Sequence, residues 1–191
     1  MDELILQGCR SGDPQAIETL VRQSHGGVYR VCLSILDDPA DAEDATQETF
    51  IAAIRSLGGF RGDSTFNTWL YAIAVNCCRR RLKQRTRERT LHSTLKLTPS
   101  ALSDPPADPE QTLIQTQVTD ALWQAVSTLD EAHRLPVILR YYHELPVAEI
   151  ATILDISEGT VHSRLFNARE RMRGLLAMRD AQFKDKKGAR R

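Results

Sequence analysis

Residues 145–173 read LPVAEIATILDISEGTVHSRLFNARERMR, and the spacing of their apolar positions decides what kind of fold the chain adopts. Val161, Leu165, Ala168, Met172, Leu175 and Leu176 fall within about a third of a helical circumference. Before them, Ala151 gives a short helix a small residue, Asp155 stands where the chain turns, and Ser157 is placed to cap the next helix. Asp tolerates a left-handed backbone better than most side chains, and a Ser hydroxyl satisfies the free N–H groups of a new helix. The layout is a helix-turn-helix. Its second helix presents Thr160, His162, Ser163, Arg164, Phe166, Asn167, Arg169, Arg171 and Arg173 away from the apolar stripe. Cations to hold phosphates, with short polar and amide groups between them, are what a helix lying in a DNA major groove requires. A helix that merely faces water would mix Glu with Lys, and this face is dominated by arginine.

The same spacing of three and four recurs along most of the chain, with Gly and Pro between the periodic segments and hardly a strand signal, so the fold is expected to be all-α. Asp13-Pro14 opens a long helix that buries Ile17, Leu20, Val21, Val28, Val31 and Leu36, and Asp38-Pro39 ends it. A second helix, ADAEDATQETFIAAIRSL, stops at Gly58-Gly59. Residues 98–109, TPSALSDPPADP, hold four prolines and no positive charge, a composition suited to a flexible tether. Helical periodicity resumes at residue 112 and continues to about Met178. The expected organisation is two small helical domains, 1–93 and 109–178, joined by a tether over 94–108 and followed by an irregular basic tail over 179–191.

The net charge of zero conceals segregation. Residues 1–75 carry 5 Lys/Arg against 11 Asp/Glu, residues 76–97 carry 8 against 1, residues 98–133 carry 0 against 6, and residues 134–191 carry 12 against 7. Two basic islands in an acidic chain suggest two contacts with one polyanion, and the acidic stretches suggest a basic protein partner. The apolar runs are too short to span a bilayer and the N-terminus MDELILQGCR is acidic where a secretion signal would be basic, so a cytoplasmic location is expected. Cys9, Cys32, Cys77 and Cys78 form no CxxC pair and the five histidines do not cluster, so neither a disulfide framework nor a metal site is encoded.

Residues 60–81, FRGDSTFNTWLYAIAVNCCRRR, turn from apolar to cationic within three turns. Phe66, Leu70, Ile73 and Cys77 make one face, and Trp69, Ala72, Asn76, Arg79 and Lys83 make a second. An aromatic and an amide followed by cations suit single-stranded nucleic acid, whose bases stack or enter pockets while cations follow the backbone. The loop before them offers Gly62 for an irregular backbone, with Asp63 and Ser64 as hydrogen-bonding groups for an extruded base. A plainer arrangement fits as well: Trp69 in the core, and the arginines on a solvated helix end where the dipole favours cations. In the helix before the loop, Asp41, Asp44, Gln47 and Glu48 share one side, with Ala45, Phe50, Ile51 and Ile54 available for packing. That acidic and amide face suits a basic protein surface.

With these three motifs in this order, the chain resembles the extracytoplasmic-function sigma factors of the bacterial sigma-70 superfamily, over roughly residues 10–178. The resemblance implies an initiation factor, not an enzyme, that directs core RNA polymerase to promoters and needs no cofactor. Asp41, Asp44, Gln47 and Glu48 would grip the clamp helices of the polymerase. The loop Phe60, Arg61, Gly62, Asp63 and Ser64, with Trp69, Asn76, Arg79, Arg80 and Lys83, would hold the melted −10 element as a single strand. Thr160, His162, Ser163, Arg164, Phe166, Asn167, Arg169 and Arg171 would read the double-stranded −35 element. Other partners implied are the polymerase flap and an anti-sigma factor, often membrane-bound, that wraps both domains. Many members carry arginine where this chain has His162 and Asn167. Cys78 lies beside Arg79, Arg80 and Arg81, whose charge favours a thiolate, but buried, inert thiols are the expectation. The competing expectation is a two-domain DNA-binding regulator that does not act through polymerase.

Overall fold

Aspartate opens the first three helices. The computed structural model describes residues 2–94 and 122–188, with side chains over 2–88 and 122–175, so the tether lies outside the described residues. Helices α1 (Glu3–Ser11), α2 (Pro14–Leu36) and α3 (Pro39–Ser56) start behind Asp2, Asp13 and Asp38. These carboxylates accept from the N–H groups of Leu4, Gln15 and Asp41 at 3.1, 3.0 and 2.9 Å, satisfying donors that have no partner inside the helix. Pro14 and Pro39 occupy first-turn positions that need no N–H. After a 3₁₀ turn at Leu57–Gly59 comes α4 (Phe66–Thr94). The second half holds α5, helical over 122–127, and α6 (Glu131–Val137), which widens into a π-turn at Ile138–Tyr142. It ends with α7 (Val147–Leu154) and α8 (Glu158–Gly188). All regular structure among the described residues is helical, as the periodicity requires.

Two features depart from expectation. Helix α1 was not anticipated; it packs on α2 through Leu6 and Cys9, and its Gly8 lies so close that an added Cβ would stand 2.6 Å from Ala16 Cβ. Residues 179–191, expected as an irregular tail, continue α8 as far as Gly188, because Ala, Arg, Gln and Lys are good helix formers and no proline intervenes.

Helices α2, α3 and α4 form a bundle around Leu20, Val28, Val31, Ala45, Phe50 and Leu70. The buried residues of α4 (Phe66, Thr68, Leu70, Ala74, Val75, Cys77, Cys78) do not fall on a single stripe. The reason is that α2 and α3 cover one side of α4 while α7, from the second half of the chain, covers another. The core therefore runs on without a break into Leu135, Leu139, Ile150, Ile153, Val161 and Leu165.

Candidate functional site

The acidic face of α3 is partly consumed inside the protein. Arg81, 20% exposed, reaches Asp41 at 3.0 Å, Asp44 at 3.3 Å and Glu48 at 2.7 Å. One turn on, Arg85 pairs with Asp41 and with Asp38 at 3.6 Å, and donates to the Leu36 carbonyl at 3.1 Å. Asp41 is thus a structural carboxylate pinned by two guanidinium groups. Asp44 remains 60% exposed, Gln47 is exposed and Glu48 is half-buried. Beside them Ile51 is also exposed, so it is not the packing residue its position suggested.

The loop after the 3₁₀ turn is anchored at its start. Phe60 packs against Phe66 and Trp69 with ring centroids 5.8 and 5.3 Å apart, and its carbonyl accepts from Arg10 at 3.1 Å. Trp69 is half-buried in this aromatic cluster, its ring 5.6 Å from that of Phe66. Arg61, Gly62 and Asp63 are exposed, with Gly62 at φ +81°, and Ser64 is half-buried. On α4, Asn76, Arg80 and Lys83 are exposed and Arg79 is half-buried. All four cysteines are buried. Hydrogen bonding to Cys32 and burial push the Cys78 thiol far up and outweigh the Arg81 charge.

The turn before α8 is built as its residues dictate. Asp155 is left-handed (φ 54°, ψ 53°), and the Ser157 hydroxyl accepts from the Thr160 N–H at 3.1 Å. Val161, Leu165 and Ala168 are buried and Met172 half-buried, but Leu175 is exposed, so the apolar stripe ends a turn early. His162, Ser163, Asn167 and Arg169 are exposed, and Phe166 shows 60% of its surface to solvent. Thr160 and Arg164 are half-buried at the edge of this face. Arg171 is diverted: it donates to Asp130 at 2.8 Å and lies against His133. Hydrogen bonds from His133 and then Arg171 hold the Asp130 carboxyl well below the usual carboxylate range. Arg171 therefore clips α8 to the start of α6.

An exposed apolar patch went unread in the sequence. Leu122, Trp123, Tyr141 and Tyr142 project from α5 and the π-turn, with the Trp123 and Tyr142 rings 5.3 Å apart. The adjacent Tyr141-Tyr142 pair at the end of an apolar helix was the available signal. Among the described residues no group of three His, Cys, Asp or Glu side chains is placed to hold a metal ion, and no helix is long and apolar enough to cross a membrane.

This arrangement recurs in known proteins. The family model for sigma-70 region 2 matches residues 20–88, and that for sigma-70 region 4 matches residues 119–172. The RNA polymerase sigma-H factor of Pseudomonas aeruginosa is 34% identical over 175 residues, covering 88% of this chain and 90% of that protein. The chain belongs to the extracytoplasmic-function sigma factors of the sigma-70 family. The ECF RNA polymerase sigma-E factor of Escherichia coli strain K12 is 33% identical, with 88% and 91% of the two chains covered. In overall fold this sigma factor is similar to CnrH, solved with the cytosolic domain of CnrY (TM-score 0.63, 23% identity, 93% of this chain and 97% of that chain). It is also similar to RpoE of Bartonella quintana, solved with the anti-sigma factor NepR (TM-score 0.62, 22% identity, 84% and 96% covered). As a sigma factor the protein acts by binding, not catalysis: it is a DNA-binding initiation factor whose partners are core RNA polymerase and promoter DNA. The reading as a regulator independent of polymerase falls with that membership.

Proposed function

We propose the following division of labour among the exposed faces. Residues 1–93 bind the polymerase clamp helices and the melted −10 element, residues 109–178 bind the −35 element, and residues 94–108 tether the two. Asp44 and Gln47, the most exposed of the four, meet the clamp first, with Glu48 and Asp41, both held by Arg81, at the edge of that contact. Arg61, Gly62, Asp63, Ser64, Asn76, Arg80 and Lys83 take the single-stranded −10 DNA. His162, Ser163, Phe166, Asn167 and Arg169 read the −35 element in the major groove, and the patch around Trp123 and Tyr142 receives the polymerase flap. An anti-sigma factor, as in the NepR complex of the similar RpoE, restrains the protein in the cytoplasm or at the inner membrane face. The observation that carries the reading is the recognition helix: one face is locked into a core by Val161, Leu165 and Ala168, while polar, amide and aromatic groups stand free opposite it.

Transcription in vitro from a promoter library, with core polymerase and the purified chain, tests this division. Transcripts are expected to start downstream of one shared pair of motifs. Asp44→Ala with Gln47→Ala is expected to abolish them, and Asn167→Ala to change only the upstream motif. Unchanged motifs in the Asn167→Ala variant would remove α8 from the −35 role.

A further inference from the structure

Helix α8 keeps less free positive charge than its arginines suggest. Arg171 is diverted to Asp130 at 2.8 Å and Arg173 to Glu170 at 2.6 Å. Arg164 and Arg169 have no carboxylate partner among the described residues, and the Arg169 Nε donates to the Leu165 carbonyl of its own helix at 3.3 Å. His162 is exposed and shares a stripe with Phe166 and Arg169, four and seven residues on. It makes no hydrogen bond, ion pair or ring contact among the described residues. On the elements packed against α8, Glu149 of α7 accepts from Thr68, Glu131 of α6 pairs with Arg79, and Asp130 holds Arg171 and His133. Arg134 of α6 and Asp155 of the turn form no ion pair with His162, and neither does Glu158, one turn before it on α8.

Histidine is the side chain whose charge changes between about pH 5 and 8. A DNA duplex carries one negative charge per about 1.7 Å of its axis, so it binds an imidazolium, a donor at both nitrogens, in preference to the neutral ring. Where Arg164 and Arg169 are the unpaired arginines, one further cation is a large fraction of the charge offered to DNA. The inference rests on the assignment of this face to the −35 element. We propose that His162 contacts the −35 element as an imidazolium, so that promoter binding takes up a proton at this residue. The bound state then holds more protons than the free one, and affinity rises as pH falls. The acceptor is a phosphate oxygen or the edge of a guanine, which offer the same chemistry to an N–H donor.

Holoenzyme assembled from core polymerase and the full chain is titrated with a duplex promoter fragment between pH 6 and 8 at constant ionic strength. Wild type is expected to bind roughly 3- to 10-fold more tightly at pH 6 than at pH 8. His162→Gln, which cannot be charged, is expected to lose that difference. His162→Arg, charged throughout, is expected to hold at pH 8 the affinity that wild type reaches at pH 6. His143→Asn, which removes a histidine outside α8, is expected to keep the wild-type dependence. An undiminished pH dependence in His162→Gln, or the same dependence in His162→Arg, would overturn the proposal. Two further readouts locate the acceptor. A salt dependence steeper by about one at pH 6 than at pH 8, with the ranking of mutated −35 duplexes unchanged, assigns it to a phosphate. A preference at one base pair that strengthens as pH falls assigns it to a base edge. Asn167→Ala at pH 8 keeps the two levels of failure apart. Weakened binding in that variant beside a flat wild-type pH profile overturns the proton uptake alone. Unaltered binding in Asn167→Ala removes α8 from the −35 role, and the proposal with it.

Discussion

At the residue scale, an arginine near DNA-reading elements is not thereby a DNA contact. Arg81 and Arg85 lie four apart on α4, and Asp41, Asp44 and Glu48 lie three and four apart on α3, so the two helices meet through matched rows of opposite charge. Both rows are visible in the sequence. What the sequence lacks is the packing of α4 against α3, which decides that the rows face each other and not two external partners. The consequence is a separation of roles that mutation can reveal. Arg81→Ala removes a largely shielded guanidinium from three carboxylates, two of them well exposed and the third still paired with Arg85, and is expected to cost about 1–2 kcal/mol in urea unfolding. Asp44→Ala, on an exposed carboxylate, is expected to cost less than about 1 kcal/mol while weakening the complex with core polymerase. Equal losses of stability in the two variants would mean that Arg81 is no hub.

At the scale of the element, capping chemistry was legible and shared surfaces were not. Asp13-Pro14, Asp38-Pro39, Asp155 and Ser157 announce helix ends by local rules, and each stands where those rules put it. Helix α4 misled because it has two buried sides, one of them covered by α7 from some eighty residues away, so its apolar residues show no single stripe. Helix α8 misled in a smaller way, since a cation on its polar side turned out to be a clip. Arg171 holds Asp130, whereas Asn167 points into open solvent with Phe166. In binding measured across a set of mutated −35 duplexes, Asn167→Ala is expected to relax the preference at one base pair by roughly 5- to 100-fold, the range for a lost amide–base contact. Arg171→Ala is expected to leave the ranking of sequences intact and to lower the thermal midpoint instead. A changed ranking in the second variant would return Arg171 to the DNA face.

For the molecule as a whole, the charge map predicted two basic islands and acidic stretches, but it assigned the acid to a foreign partner; in the closed chain some of it serves the chain itself. The contact between the halves also contains a titrating group. Burial, and then the Arg30 charge, pull the His143 imidazole down to about 4 from an ordinary value near 6.5. Because the Ser34 hydroxyl already donates to the Val31 carbonyl, it accepts the Nε2 proton of neutral His143. An opened chain returns His143 to water and to its ordinary value, so between about 6.5 and 4 the open form binds the extra proton. The closed form is therefore fully favoured above pH 6.5 and loses its advantage progressively as pH falls toward 4. Small-angle scattering is expected to show the radius of gyration rising as pH falls from 7 to 5. In His143→Asn, which keeps a donor for Ser34 but does not titrate, the rise over that range is expected to vanish. A variant that expands over the same range as wild type would place the proton-sensitive group elsewhere, and the contact at Ser34 would then be packing alone.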